Sequence, residues 1–155
     1  MTAPFDIYTE YLRTLGTVQV TDSEGRLCDL PAGLASLTER LVLGGVLFVG
    51  NGGSAAVAAH LATDLRGGVA AGADPVRLTA NANDHGYENV FALEVERIRP
   101  TTVVSMSCSG RSANVLAAVL AATRVGAQAV TLTGFAPDNP LRVTGALNFY
   151  VPSED

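Results

Sequence analysis

Short apolar runs alternate along this chain with longer stretches in which apolar residues recur every three or four positions. That alternation predicts strands separated by helices. Phe5, Tyr8, Leu12 and Leu15 fall on one side of a short amphipathic helix. Val18, Val20 and Leu27 flank the turn-like cluster Thr21 to Gly25, so a small hairpin or an ordered loop follows. Pro31 opens a helix whose Leu34, Leu37, Leu41 and Val42 face the core and which stops at Gly44-Gly45. The unbroken apolar run Val46 to Val49 is the first buried strand. It ends at Gly50, bends through Asn51, Gly52 and Gly53, and restarts as a helix with Ser54 as N-cap and Gly67-Gly68 as stop. In that helix Val57, Leu61 and Leu65 form the core stripe, while His60 and Asp64, also four apart, lie side by side at its edge.

Beyond it, Pro75 to Thr79 reads as a second strand and Asn81 to Gly86 as a loop. Asp84 caps a helix from about Tyr87 to Ile98, with Val90, Phe91 and Val95 on its apolar side. Thr102 to Met106 is the third strand, Ser107 to Ser112 a loop of small residues, and Ala113 to Val125 a helix stopped by Gly126. Ala129 to Thr133 and Leu147 to Val151 complete the strands. Pro152-Ser-Glu-Asp155 has the composition of a helix's opening turn. Strands alternating with helices imply an α/β fold, a parallel sheet with helices on both faces. Such sheets bind ligands at the carboxyl ends of their strands, where the strand order reverses. The loops after the first and third strands are the polar, glycine-bearing ones, so both meet over one crevice if those strands are neighbours. Residues 1–30 form an N-terminal helix and loop, and 31–155 the main body of one compact domain.

Composition narrows the function. The chain has 155 residues, a net charge of −5 and no basic run, which argues against nucleic acid. No apolar segment reaches membrane-spanning length, and the N-terminus lacks the pattern of a secretion signal. Cys28 and Cys108 lie far apart in dissimilar settings, which fits a reduced, cytoplasmic chain.

The two loops carry the chemistry. Glycines let backbone approach a ligand closely, and the first amides of a helix have no intrahelical partner. Asn51, Gly52, Gly53 and Ser54 therefore form one anion-holding bend. Ser107, Ser109 and Ser112, with amides at the start of the next helix, can surround a phosphate without any lysine. Cys108 sits among them, close to that helix start. No G-x-x-x-x-G-K-[ST] occurs, and Gly50 to Ala55 matches G-x-G-x-x-A without the acid that takes the ribose, so no nucleotide cofactor is expected. His85 reads as turn chemistry, and Cys28 has no evident partner.

The segment GNGGSAAVAAHLATDL from Gly50, followed by Ala82 to Tyr87, Ser107 to Val115 and Val130 to Gly134, resembles the sugar isomerase (SIS) domain in its phosphoheptose isomerase branch. Order and spacing agree as well, over about Leu34 to Asp155. The resemblance implies a three-layer, five-stranded parallel sheet, flavodoxin-like and doubly wound, usually in a homotetramer (or dimer) with sites at subunit boundaries. It implies a phosphorylated sugar held by Ser107, Ser109 and Ser112, with Asn51 and Ser54 on the sugar chain and Asp84 nearby. It makes Asp64 the residue that moves a proton between the sugar's first two carbons, and allows His60 and Asp64 to bind zinc.

Aldose–ketose isomerisation needs a base beside a carbonyl, a group that polarises that carbonyl, and a grip that fixes position. The expected reaction converts sedoheptulose 7-phosphate to glycero-manno-heptose 7-phosphate through an enediol. A phosphosugar-binding or scaffolding module without catalysis is the alternative. The family commonly has glutamate at Asp64, asparagine at Arg111 and arginine at Gly68. Its second catalytic residue, a histidine, lies on a helix after the last strand, and this sequence is expected to stop short of that helix.

Overall fold

A computed structural model describes residues 13–14 and 16–153. Most of the expected Phe5–Leu15 helix, and the last two residues of the expected C-terminal helix start, lie outside these residues. The strands are β1 (Gln19–Asp22), β2 (Leu27–Cys28), β3 (Val46–Gly50), β4 (Val69–Ala70), β5 (Thr102–Ser107), β6 (Gln128–Thr133) and β7 (Leu147–Tyr150). The helices are α1 (Leu30–Val42), α2 (Gly53–Asp64), α3 (Pro75–His85), α4 (Val90–Ile98) and α5 (Ala113–Val125).

The sheet runs β2-β1-β7-β6-β5-β3-β4. The five strands from β7 to β4 are mutually parallel, and the β1–β2 hairpin adds to β7 antiparallel. The sheet is therefore seven-stranded and mixed rather than five-stranded, and the hairpin reading of Val18–Leu30 holds. Asn148 stitches the hairpin on. Its Oδ1 accepts from Thr131 Oγ1 and Gly145 N at 2.8 Å, and its Nδ2 donates to the Asp22 carbonyl at 3.3 Å.

Every residue of β3 and β5 is buried, as both-sided cover demands. Leu47, Val49 and Val103 face one layer, made by α4 and α5 with Leu78 and Ala82 of α3. Phe48, Val104 and Met106 face the other, where Leu37 and Leu41 of α1 and Ala58, Ala62 and Leu65 pack. Each such large side chain contributes about 1.5–3 kcal/mol on burial.

Several elements differ from the expectation. Pro75 to Thr79 is not a strand, and Asn81 to Gly86 is not a loop; both belong to α3. Asp74 caps that helix by accepting from the Val76 and Arg77 amides at 3.0 and 3.2 Å, with Pro75 at its first position. The fifth parallel strand is the two-residue β4 instead. Asp84 caps nothing, since it lies inside α3. Leu34 and Val42 of α1 are exposed rather than core. Helix α2 ends at Asp64, before Gly67-Gly68, and its core face is Ala58, Ala62 and Leu65 rather than Val57, Leu61 and Leu65. Val57 and Leu61 stand 51% and 36% exposed. Alanines let the helix lie close against Phe48 and Met106, which turns the larger residues outward.

Candidate functional site

The chain leaves β3 toward β4 on one side, while β6 lies beyond β5 on the other. The order reverses between β3 and β5, which pair directly from Val46 with Thr102 to Gly50 with Met106. A crevice opens at their carboxyl ends, as such reversals produce. The expected convergence of the two loops is what the pairing delivers.

The first wall is the bend after β3. A Cβ on Gly50 would lie 2.8 Å from the backbone of Ser54, so only glycine lets the helix start this close to its strand. Helix α2 is capped by Gly52 at φ 53°, not by Ser54, and no side chain occupies its first amides. The Ala55 amide donates to the Asn51 and Gly52 carbonyls, which leaves the Gly53 and Ser54 amides as the open donors of this helix start.

The second wall is the serine loop after β5. Ser107 Oγ lies 3.4 Å from Ser109 Oγ and 3.3 Å from Ser112 Oγ, which gathers three hydroxyls in one place. The Gly110 amide donates to Ser107 Oγ at 3.2 Å and the Arg111 amide to Ser109 Oγ at 3.3 Å. Ser112 is the N-cap residue of α5, yet its side chain makes no capping bond. Its hydroxyl stands at the start of a thirteen-residue helix, whose dipole favours an anion there.

The third wall, the loop after β6, was not anticipated. Thr133, Gly134 and Phe135 line the cleft, with Val151 and Ser153 beyond β7. The Gly134 amide donates to the Cys108 carbonyl at 3.0 Å, and Leu141 N to the Gly110 carbonyl at 3.2 Å, so this loop braces the serine loop from outside. Three loops following three parallel strands at one sheet end were a usable signal for it.

Together these walls enclose a cleft of about 790 Å³. Asn51, Gly53, Ser54, Ser107, Cys108, Ser109 and Ser112 all line it, and Gly52 turns the bend beside them. Among the described residues its lining has no charged side chain. Asp84 is not in the lining; it is exposed on α3 and accepts from Asn83 Nδ2 at 2.9 Å. His60 and Asp64 lie outside it as well. His60 Nε2 and Asp64 Oδ2 are 3.4 Å apart, on side chains 79% and 64% exposed.

Helical geometry nevertheless connects that pair to the cleft. Ser54, Val57, His60, Leu61 and Asp64 recur at three- and four-residue intervals and share one face of α2. The face begins in the cleft at Ser54 and Val57 and ends at Asp64, about 15 Å beyond Ser54 and about 10 Å beyond Val57. As a zinc site the pair is incomplete. Among the described residues no group of three histidine, cysteine, aspartate or glutamate residues comes together, and a closed site takes four donors. Both cysteines are free thiols.

The fold and the cleft define a doubly wound α/β protein with serine hydroxyls and two helix starts gathered at the switch point of its sheet. The comparisons with known proteins give the family. The phosphoheptose isomerase of Rhodospirillum rubrum is 43% identical over 63% of this chain and 59% of its own length. That of Helicobacter pylori is 36% identical over 72% and 64%. The solved structure of phosphoheptose isomerase GmhA from Neisseria gonorrhoeae superposes with a TM-score of 0.76 at 32% identity, covering 96% of this chain and 84% of that one. One from Francisella tularensis shares the fold with a TM-score of 0.79 at 24% identity. No protein-family model matches the chain. The chain belongs to the phosphoheptose isomerase family. It spans 59–64% of the length of the first two curated relatives named.

Proposed function

We propose that the protein isomerises sedoheptulose 7-phosphate to glycero-manno-heptose 7-phosphate, in the cytoplasm, through an enediol intermediate. The observation that carries this reading is the cluster of Ser107, Ser109 and Ser112 hydroxyls at the uncapped start of α5. A phosphate seated there is held by neutral donors and a helix dipole. Asn51 and Ser54 then face the sugar carbons, and the chain extends along the face of α2 past Val57 toward Asp64. Asp64 takes the proton from C1 and returns it to C2, the transfer that an aldose–ketose interconversion requires. Anchoring the far end of the substrate keeps those carbons in place for it. Among the described residues His60 and Asp64 offer half a coordination shell, so no step is assigned to zinc.

The same reading makes the protein a homo-oligomer. The exposed Val57 and Leu61 lie on the face that also carries His60 and Asp64. A second copy laid over that face buries both apolar side chains and takes the carboxylate out of open water, where a base works better. The test is incubation with sedoheptulose 7-phosphate followed by NMR. Appearance of the aldose phosphate supports the reading. Tight binding without conversion would make the protein a phosphosugar-binding module instead.

A further inference from the structure

Among the described residues two that are not glycine adopt a positive φ, Arg99 at 49° and Phe135 at 53°. Arg99 is the left-handed residue that ends α4, a conformation helix ends commonly use. Phe135 ends no helix. It lies two residues beyond β6, stands outside both core clusters and is 38% exposed. A bulky side chain is strained at that φ, whereas glycine takes it freely. The fold alone therefore favours a glycine at this position.

Its neighbours hold the strained turn in place. Tyr150, buried, donates its hydroxyl to the Phe135 carbonyl at 2.7 Å. Arg142 lies over the Tyr150 ring, 4.0 Å from its centre, and donates to the Pro137 carbonyl at 2.6 Å. Strain of this kind persists where the surroundings over-determine it, and it gathers at ligand clamps. Phe135 borders the main cleft beside Leu132 and Val151. The Gly134 amide just before it is bonded to Cys108, between Ser107 and Ser109. On the other side of β5 the wall is polar, and there Asn51 and Asn114 exchange side-chain hydrogen bonds at 2.8 and 3.0 Å. The serine hydroxyls thus have an apolar wall on one side and a polar wall on the other. A sugar phosphate offers both kinds of surface, C–H groups on the carbons next to the phosphate and hydroxyls along the chain. We infer that Phe135 is a specificity-determining residue that lays its ring against the carbons next to the phosphate, and so favours a phosphate ester over free phosphate. The inference rests on the phosphosugar reading of the cleft.

The test titrates two probes, inorganic phosphate and sedoheptulose 7-phosphate, by calorimetry into the wild-type protein, Phe135→Gly and Phe135→Ala. Wild type binds the sugar phosphate more tightly than phosphate. Both variants keep the phosphate affinity, which also shows that they fold. The extra affinity for the sugar phosphate falls about three- to tenfold in each, the scale of one aromatic contact. Urea denaturation gives a second readout: Phe135→Gly unfolds at a higher midpoint than Phe135→Ala, because glycine takes this φ without strain. An unchanged advantage in both variants overturns the inference while leaving the phosphosugar reading intact. So does a loss confined to Phe135→Gly, which marks chain flexibility rather than the ring. Equal losses for both probes overturn it too, since they mark a general structural role. An alanine midpoint at or above the glycine one removes the strain from which the inference starts, and overturns it. A wild-type protein with no preference for the sugar phosphate sinks the phosphosugar reading and the inference with it.

Discussion

Gly110 and Asn139 sit so close that a Cβ on the glycine would lie 1.9 Å from the asparagine Oδ1. Asn139 cannot yield. It is 2% exposed, donates to the Gly134 and Ala136 carbonyls at 3.2 and 2.9 Å, and accepts from Arg142 N at 3.0 Å. Gly110 is also at φ 59°, where a side chain is strained whatever the space. Gly110→Ala therefore destabilises the protein by about 1–3 kcal/mol and pushes the serine loop off its brace. Urea denaturation reads the first effect and phosphate titration the second. A variant with wild-type values in both would show that the loop does not depend on this contact.

Ser112 separates binding from stability. Its hydroxyl caps nothing, so Ser112→Ala leaves the unfolding midpoint within about 0.5 kcal/mol of wild type. Phosphate affinity falls by about 0.5–1.5 kcal/mol, up to roughly tenfold. A fall in stability with unchanged phosphate binding is the opposite of what the site implies.

On α2 the apolar residues turned to solvent predict an assembly contact. Leu61→Lys leaves the fold intact, because Leu61 makes no part of the described core, and shifts the sedimentation coefficient toward the monomer. An unchanged oligomeric mass would place the contact elsewhere.

Acid sensitivity follows from two hydrogen-bonded aspartates, Asp22 in the hairpin turn and Asp74 at the start of α3. The Arg26 side chain hydrogen-bonded to Asp22, and the Arg77 backbone N–H bonded to Asp74, hold both carboxyls below the ordinary aspartate range. A carboxyl whose folded value is depressed stabilises the fold above its unfolded value and loses that contribution as the pH falls through the folded one. Stability thus declines on acidification below about pH 4. Asp74→Asn keeps an oxygen for the α3 amides but does not titrate, so its stability curve is flatter there. Urea midpoints measured from about pH 6 down to about pH 3 check this; identical slopes for the two proteins would exclude Asp74 as a contributor.

The parts of the fold legible in the sequence are those whose pattern is also their burial. Val46 to Val49 and Ala113 to Val125 were readable because both-sided burial and a glycine stop leave unambiguous marks. Pro75 to His85 was not. That helix has no fully buried residue, and Val76, whose alternation with Leu78 imitated a strand, is 77% exposed. The better signal, an aspartate before a proline, was local rather than periodic. Helix α2 misled for another reason: with alanine on one side and Val57 and Leu61 on the other it has two apolar faces, and periodicity does not say which meets the sheet. In the site, the serine loop and the glycine bend announced themselves. Asn114 did not, because its partner Asn51 is 63 residues away and only the β3–β5 pairing joins them.

The central claim is that the bend after β3 and the loop after β5 close on one phosphosugar. Backbone amide NMR during titration with sedoheptulose 7-phosphate tests it most directly. The account predicts that Gly52 to Ala55 and Ser107 to Asn114 shift together along a single binding curve. Saturation with those two segments unmoved, and the perturbed amides elsewhere on the molecule, would contradict it.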